Sequence, residues 1–418
     1  MQAHKYLSRH AEPEAQSLAL DDVFDFALDF ALVLPCYDEE RQDIERFANF
    51  CAHNNALLIL VVNQPEAVEH CKRNDSALDW LKGTSPKTIS QHVSLCHAEH
   101  ASIMLVDRTR HRIPQAQGVG LARKIGADCA FALINQGIVK SPWIFTTDAD
   151  ACLPADYFAA TAAHEECSAV IYPFEHVACG DAQIDAATTL YELRLHHYVG
   201  GLRRAKSPYA FHSLGSTLAI NAAHYAAAHG FPKRAGGEDF YLLNKLVKLA
   251  PVKSLSQPIL QLRARASHRV PFGTGPAVEK LAACADMRLQ PQFYHDGSFD
   301  LLAIWLDFLN VCADELCRGT SAHHWREWLP AHTDTDNLAL LLQTIDGDEF
   351  EATLGKAQRQ CRDAVALQRY LNVWFDGFRT LKLLHALRDA AFPLRNFREC
   401  FGDEATLRLR SGNGTSVD

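Results

Sequence analysis

The chain has 418 residues, 48% hydrophobic and 22% charged, with a net charge of −9. This is globular composition with length for roughly two or three structural units, and the acidic balance argues against nucleic acid as a partner, because phosphate binding leans on basic excess. The 13 scattered cysteines include no Cys-x-x-Cys pair, which argues against a disulfide framework and predicts a reduced, cytoplasmic setting.

Residues 1–25 read as a polar lead-in, and "MQAHKYLSRHAEPEAQ" has no apolar centre of the kind a secretion signal needs. "FALVLPCY" then reads as a first strand buried on both faces. "DEERQDIERFANFCAHNN" has helical spacing, with Asp38 as its expected cap and Glu39 and Glu40 suited to the positive end of the helix dipole. "ALLILVVN" is a second strand. Residues 64–100 are polar and mixed, and predict a helix plus a loop. Within them His92, Cys96, His97 and His100 raise the idea of zinc, but their spacing fits no standard finger, and a polar helical surface is the expected form.

"ASIMLVD" is a third strand, "QGVGLARKIGADCAFALINQG" a helix with small residues on one face, and "WIFTTD" a fourth strand. Strands alternating with helices predict an α/β fold: a mostly parallel central sheet flanked by helices. Ligands of such sheets gather beyond the strands' C-terminal ends. Tyr37, Asp38, Glu39, Asn63, Asp107, Asp148 and Asp150 follow successive strands and are expected to converge there.

Beyond Pro154 the pattern changes. "SAVIYPFE" reads as one short strand, 181–206 as a helix, "FHSLGSTLAIN" as a strand, "GGEDFYLLNKLVKLA" as a helix entered through two glycines, and "ILQLRARASHRV" as a last strand. From 276 the chain is helical, with amphipathic stretches at 298–317, 336–356 and 360–390, and 406–418 reads as a frayed tail. Leu367, Leu371, Trp374, Phe378 and Leu381 recur at steps of three and four. That narrow stripe predicts a helix packed on protein rather than one lying on a membrane. No run approaches the ~18 apolar residues of a membrane span, so any membrane contact would be peripheral, at the inner face.

Two aspartates at i and i+2 on an extended segment point the same way. Asp148 and Asp150 are therefore candidates to grip a hard divalent cation, Mg²⁺ or Mn²⁺, which prefers oxygen ligands and stabilises a leaving diphosphate. Gly236 and Gly237 allow a close backbone approach. Glu238 and Asp239 fall in the first turn of the following helix, where the dipole favours a carboxylate. Each motif alone also has an ordinary structural reading, as a turn or a helix cap.

Taken in order, "LVLPCYDEE", "QGVGLARKIGADCA", "IFTTDADACLPADYF" and "GGEDFYLLNKL" resemble the family 2 glycosyltransferases, inverting hexosyltransferase-type enzymes of the GT-A fold. The resemblance covers roughly residues 28–270. It implies a GT-A domain over 26–275, with a nucleotide half at 26–150 and an acceptor half at 151–275, then a helical region at 276–405. Pro35, Tyr37 and Glu39 match positions that frame base and ribose, with Asn63 a further nucleotide-binding candidate after the second strand, and Arg123 matches the basic residue of the family's helix, where it would reach the diphosphate or order the aspartates. Asp148 and Asp150 match the metal and nucleotide motif, His268 stands where a late metal ligand is often supplied, Asp239 matches the general base, and Glu238 is its acidic neighbour. Arg265 and Arg269 flank His268 and are candidates to face diphosphate oxygens. The donor implied is a nucleoside-diphosphate sugar; the acceptor would be a glycan, a lipid-linked sugar or a small molecule. Asp38, Asn63 and Lys124 depart from the usual Asn, Asp and Asn. The rival enzyme class, a sugar nucleotidyltransferase, usually opens with a glycine-rich basic loop, whereas "PCYDEE" is acidic and lacks glycine. A third possibility is a non-catalytic nucleotide-sugar-binding relative, against which all three carboxylates are present.

Overall fold

A computed structural model describes residues 2–18, 24, 27–271 and 273–402; the tail expected at 406–418 lies outside them. The chain forms two compact units. Among the described residues, one takes in those up to Thr188 and Ser213–Ala282, and the other takes in Thr189–His212 and those from Ala283 to Gly402. The division therefore falls seven residues later than the expected 275, and the second unit also claims most of the helix Ala182–Arg204.

The first unit is built on strands β1 (Phe30–Cys36), β2 (Ala56–Pro65), β3 (Lys87–Ser90), β4 (Val93–Ala98), β5 (Ala101–Ile113), β6 (Trp143–Thr146), β7 (Ala151–Cys152), β8 (Ala169–Ile171), β9 (Phe174–Val177), β10 (Leu218–Asn221), β11 (Val252–Ser254) and β12 (Leu260–Arg263). Nine of them form a sheet in the order β11-β8-β10-β6-β1-β2-β5-β4-β3, in which only β4 and β10 run against the rest. The other three form a small sheet, β7-β12-β9. The mostly parallel sheet is thus as expected. The run "SAVIYPFE" is two strands, β8 and β9, one in each sheet.

The path of the chain locates the crevice. From β1 it moves to β2 through the helix Arg41–His53, and from β5 it returns to β6 through the helix Gly118–Asn135. Right-handed crossovers in opposite directions put these helices on opposite faces. The strands that follow β1 and β6 in the sheet lie to either side, so the β1–β6 boundary is the switch point where ligands of open sheets bind. Packing there is close. A Cβ on Gly126 would lie 2.4 Å from Val33 Cγ1, so only glycine lets the helix seat on β1.

The lead-in over residues 2–18 is not a loose segment. It forms helices Gln2–Arg9 and Pro13–Gln16. Tyr6, 2% exposed, donates its hydroxyl to Asp128 Oδ1 at 2.6 Å, and the Glu12 amide donates to Asp128 Oδ2 at 2.8 Å. Lys124 Nζ, 2.9 Å from Asp128 Oδ2, and the Tyr225 hydroxyl, 2.7 Å from Oδ1, complete the shell. This accounts for Lys124: the cation neutralises a carboxylate that would be costly to bury alone.

Residues 64–100 hold the expected helix, Lys72–Lys82, but then a hairpin pair, β3 and β4, rather than a loop. The polar helix expected around His92–His100 is strand β4. Its pleat buries Cys96 and exposes His97, so the two cannot share a zinc ion.

The second unit is helical, as expected. The helix Asp296–Cys317 presents Phe299, Leu302, Trp305, Phe308 and Cys312 to a core that includes Trp325, Phe350, Leu371 and Leu384. The stretch 336–356 is two helices, Thr335–Thr344 and Gly347–Gln360, and 360–390 is also two, Ala364–Trp374 and Gly377–Ala390. The break comes where Asp376 caps the last helix, accepting from the Phe378 and Arg379 amides at 3.1 and 3.2 Å. The expected stripe is therefore interrupted. Leu367 and Leu371 are buried, Phe378 is 39% exposed, and Leu383, Leu384 and Leu387 supply the buried face instead. Packing on protein is what these helices do. Among the described residues no helix is long and apolar enough to cross a membrane.

Candidate active site

Two loops meet at the switch point, one after β1 and one after β6. Their strands are in register through Val33 and Thr146, and the Thr147 amide donates to the Val33 carbonyl at 3.1 Å. Pro35 lies in the buried run of β1, which ends at Cys36, and Tyr37 is half-buried beyond it, where burial raises its phenol above the ordinary range. Asp38 adopts the left-handed region at φ 56°, which Asp tolerates as Asn does. It does not cap the helix: Glu40 is the N-cap residue and makes no side-chain cap. The Asp38 amide instead donates to Asn74 Oδ1 at 3.1 Å, and Asn74 Nδ2 donates to the Asn63 carbonyl at 3.0 Å. Asn74, wholly buried, ties the β1 loop to the end of β2, and Asn63 takes part through its backbone.

Asp148 and Asp150 lie on a turn rather than an extended segment, closed by the Ala151 amide on the Asp148 carbonyl at 3.0 Å. Arg46 braces it by donating to the carbonyls of Ala149 and Ala151 at 2.9 and 2.5 Å. Arg123 Nη2 holds Asp148 Oδ1 at 2.8 Å, while Arg265 Nε holds Asp150 Oδ2 at 2.8 Å. Each aspartate has one oxygen engaged in this way.

Arg123 is the hub. Its side chain is 3% exposed, and its guanidinium reaches Glu238 Oε1 at 2.9 Å, Thr146 Oγ1 at 2.6 Å and the Gly215 carbonyl at 3.1 Å, besides Asp148. Burial disfavours its charge, but Asp148 and Glu238 outweigh that and hold it more firmly protonated than usual. A fork of five donors matches this set, which a lysine could not serve.

Gly237, at φ 70°, turns the chain into the helix Glu238–Leu246 in a conformation glycine adopts freely. The two acids that follow differ. Glu238 is 3% exposed and committed to Arg123. Asp239 is partly exposed, and its Oδ1 accepts from the Phe240 amide at 2.7 Å. Burial, and then the charge of Glu238, push the Asp239 carboxyl up to about 7. This corrects the expectation from the helix dipole: burial and a like charge win over it.

The segment after β12 crosses to the β1 loop. Arg265 Nη1 and Arg269 Nη1 pair with Glu39 at 2.9 and 2.6 Å, and Arg269 also donates to the Tyr37 carbonyl at 2.8 Å. Burial raises the Glu39 carboxyl despite the two guanidiniums. Both arginines thus face carboxylates. His268, between them in sequence, is exposed, and its ring is not drawn together with Asp148 and Asp150 as a ligand set. Asp107 stands level with Val62 and so with Cys36 at the end of β1, but its strand runs on to Ile113 and its carboxylate accepts from the Thr109 amide and hydroxyl at 2.9 and 2.7 Å. Arg46, Asn74, Thr146 and Gly215 are site residues that sequence reading missed. Only Asn74, polar in a helix, carries any local hint.

No protein-family model matches the chain, and no curated protein matches it.

Proposed function

We propose that this chain is a metal-dependent, inverting glycosyltransferase that moves a sugar from a nucleoside-diphosphate donor to an acceptor hydroxyl. The observation that carries the reading is one buried guanidinium joining a metal-type aspartate, Asp148, to the acidic pair Glu238–Asp239, at the switch point of a mostly parallel sheet.

The roles divide by environment. Glu238 has Oε1 held by Arg123, which commits that oxygen to positioning. Asp239 has a carboxyl at about 7, close to the operating range of a general base. In the proposed step Asp239 takes the acceptor hydroxyl's proton, the oxygen bonds to the anomeric carbon, and the bond from that carbon to the diphosphate breaks, its electron pair leaving with the phosphate oxygen. Attack from the side opposite the leaving group inverts the centre. Asp148 and Asp150 offer hard carboxylate oxygens that suit Mg²⁺ or Mn²⁺. Such an ion, when bound, supplies charge stabilisation to the departing diphosphate. Arg265, seated between Asp150 and Glu39, lies where it can meet an anionic donor. Tyr37 and the Asn74-braced loop offer a surface for the base and ribose.

The test is hydrolysis of a panel of nucleotide sugars with Mn²⁺ by the full chain and by Asp239→Asn. Release of nucleoside diphosphate by the first and not the second supports the reading. Binding without release in both would favour a non-catalytic relative, and pyrophosphate exchange would favour a nucleotidyltransferase.

A further inference from the structure

We propose that His164, Glu166 and Cys167 form a binding site for a zinc-class divalent ion, separate from the candidate active site. One ligand atom from each lies within 4.8 Å of the other two. The set combines imidazole, carboxylate and thiol. A sulfur donor disfavours Mg²⁺ and Ca²⁺, and a mixed N, O and S set suits Zn²⁺.

The turn that presents them is pinned from several sides. The His164 amide donates to the Thr161 carbonyl at 3.1 Å, and the Cys167 amide to the His164 carbonyl at 2.9 Å. The next residue, Ser168, donates its amide to the Pro251 carbonyl at 2.8 Å and its hydroxyl to the Ala250 carbonyl at 2.9 Å. Cys167 is 3% exposed, and its thiol already points at Glu166 Oε1, 3.4 Å away. Two donors are therefore in contact before any ion arrives, and little ordering remains for binding to supply. Glu166 is exposed and His164 half-buried, which leaves an open approach and a fourth position for water. On binding, the thiol proton goes to solvent and sulfur bonds the ion as thiolate.

The sheet register keeps this site away from the carboxylates. Ala169 stands level with Ile220 and so with Ile144, while Ile171 stands level with Leu218 and so with Thr146. Strand β8 therefore runs with β6, and the turn before β8 lies at the edge where β6 begins, opposite Asp148. An ion here would clamp the Ala250–Pro251 side of the sheet rather than take part in chemistry.

The experiment uses the full chain stripped with chelator and titrated with Co²⁺ alone. A thiolate-to-cobalt charge-transfer band saturating at one equivalent is expected, retained in Asp148→Ala and lost in Cys167→Ser and in His164→Ala. Zn²⁺ should raise the thermal midpoint of the wild type and of Asp148→Ala but not of His164→Ala, a partly exposed position whose variant folds even if the buried serine does not. Absence of the band, or a band that survives both Cys167→Ser and His164→Ala, would overturn the proposal.

Discussion

Arg123 holds Asp148 with Nη2 and Glu238 with Nε, at 2.8 and 2.9 Å, so the turn after β6 and the helix after Gly237 share one cation. Removing it strands two carboxylates, one of them buried. Arg123→Ala should destabilise the first unit by about 3–5 kcal/mol, the range for breaking a buried ion pair from one side. Urea denaturation measures this. A loss under about 1 kcal/mol, typical of a solvated pair, would show that water already screens the hub.

Asp239→Asn keeps the shape and removes the proposed proton acceptor. Turnover should fall about 10²-fold or more while donor affinity is nearly unchanged. In the wild type, activity should rise as pH climbs through about 7, following ionisation of this carboxyl. A flat profile across that range, or near-normal turnover in the variant, would move the base elsewhere.

The same carboxyl makes a stability prediction of opposite sign. Its value rises from an ordinary 3.8 to about 7 in the folded chain, so between those limits the native state binds the more protons. Stability from this group is fully present below 3.8 and is lost as pH rises through about 7. Relative to Asp239→Asn, the wild type should therefore weaken across this window and stay weaker above it. Thermal midpoints of the pair, followed against pH, give the answer; parallel curves would contradict it.

Asp148→Ala and Asp150→Ala should each strongly reduce Mn²⁺-dependent nucleotide binding, because both side chains sit on a turn beyond the sheet, where in the proposed function they would supply oxygen ligands. Calorimetry with nucleoside diphosphate plus Mn²⁺ reads this directly. Unchanged heats in both variants would remove the aspartates from the binding reading.

Gly126→Ala places a methyl 2.4 Å from Val33 Cγ1, with the Val61 side chain 3.2 Å away on the neighbouring strand. Overpacking of this kind costs about 1–3 kcal/mol, and because β1 carries the Tyr37–Glu39 loop, nucleotide binding should weaken with it. Equal stability of variant and wild type would mean the helix can shift outward freely.

What could be read from residue order was what short-range physics controls. Continuous apolar runs announced β1 and β2, small residues announced the helix that crosses them, and the end of an apolar run put Asp148 at the C-terminal end of β6. Arg123 beside the aspartates followed from the resemblance, but the rest of the hub was not legible in the same way. Arg123 finds Gly215 and Glu238 across 92 and 115 residues, and no local pattern encodes such pairings. Other misreadings had signals that were present. Val93 and Leu95 alternate as a strand should, although neighbouring histidines obscured it, and Asp376-Gly377 is a helix start inside what looked like one helix. The rise at Asp239 needed a quantity absent from sequence, the depth of a carboxyl beside its neighbour.

The docking of Tyr6 on Asp128 has a consequence for the order in which the molecule is made. The hydroxyl and its acceptor are 122 residues apart, and Tyr225 belongs to the same cluster. Helices of eight and four residues are too short to persist alone in water. This segment must therefore wait, without its partners, until Asp128 and then Tyr225 have followed it from the ribosome. It joins the fold as a late, long-range closure rather than as a nucleus.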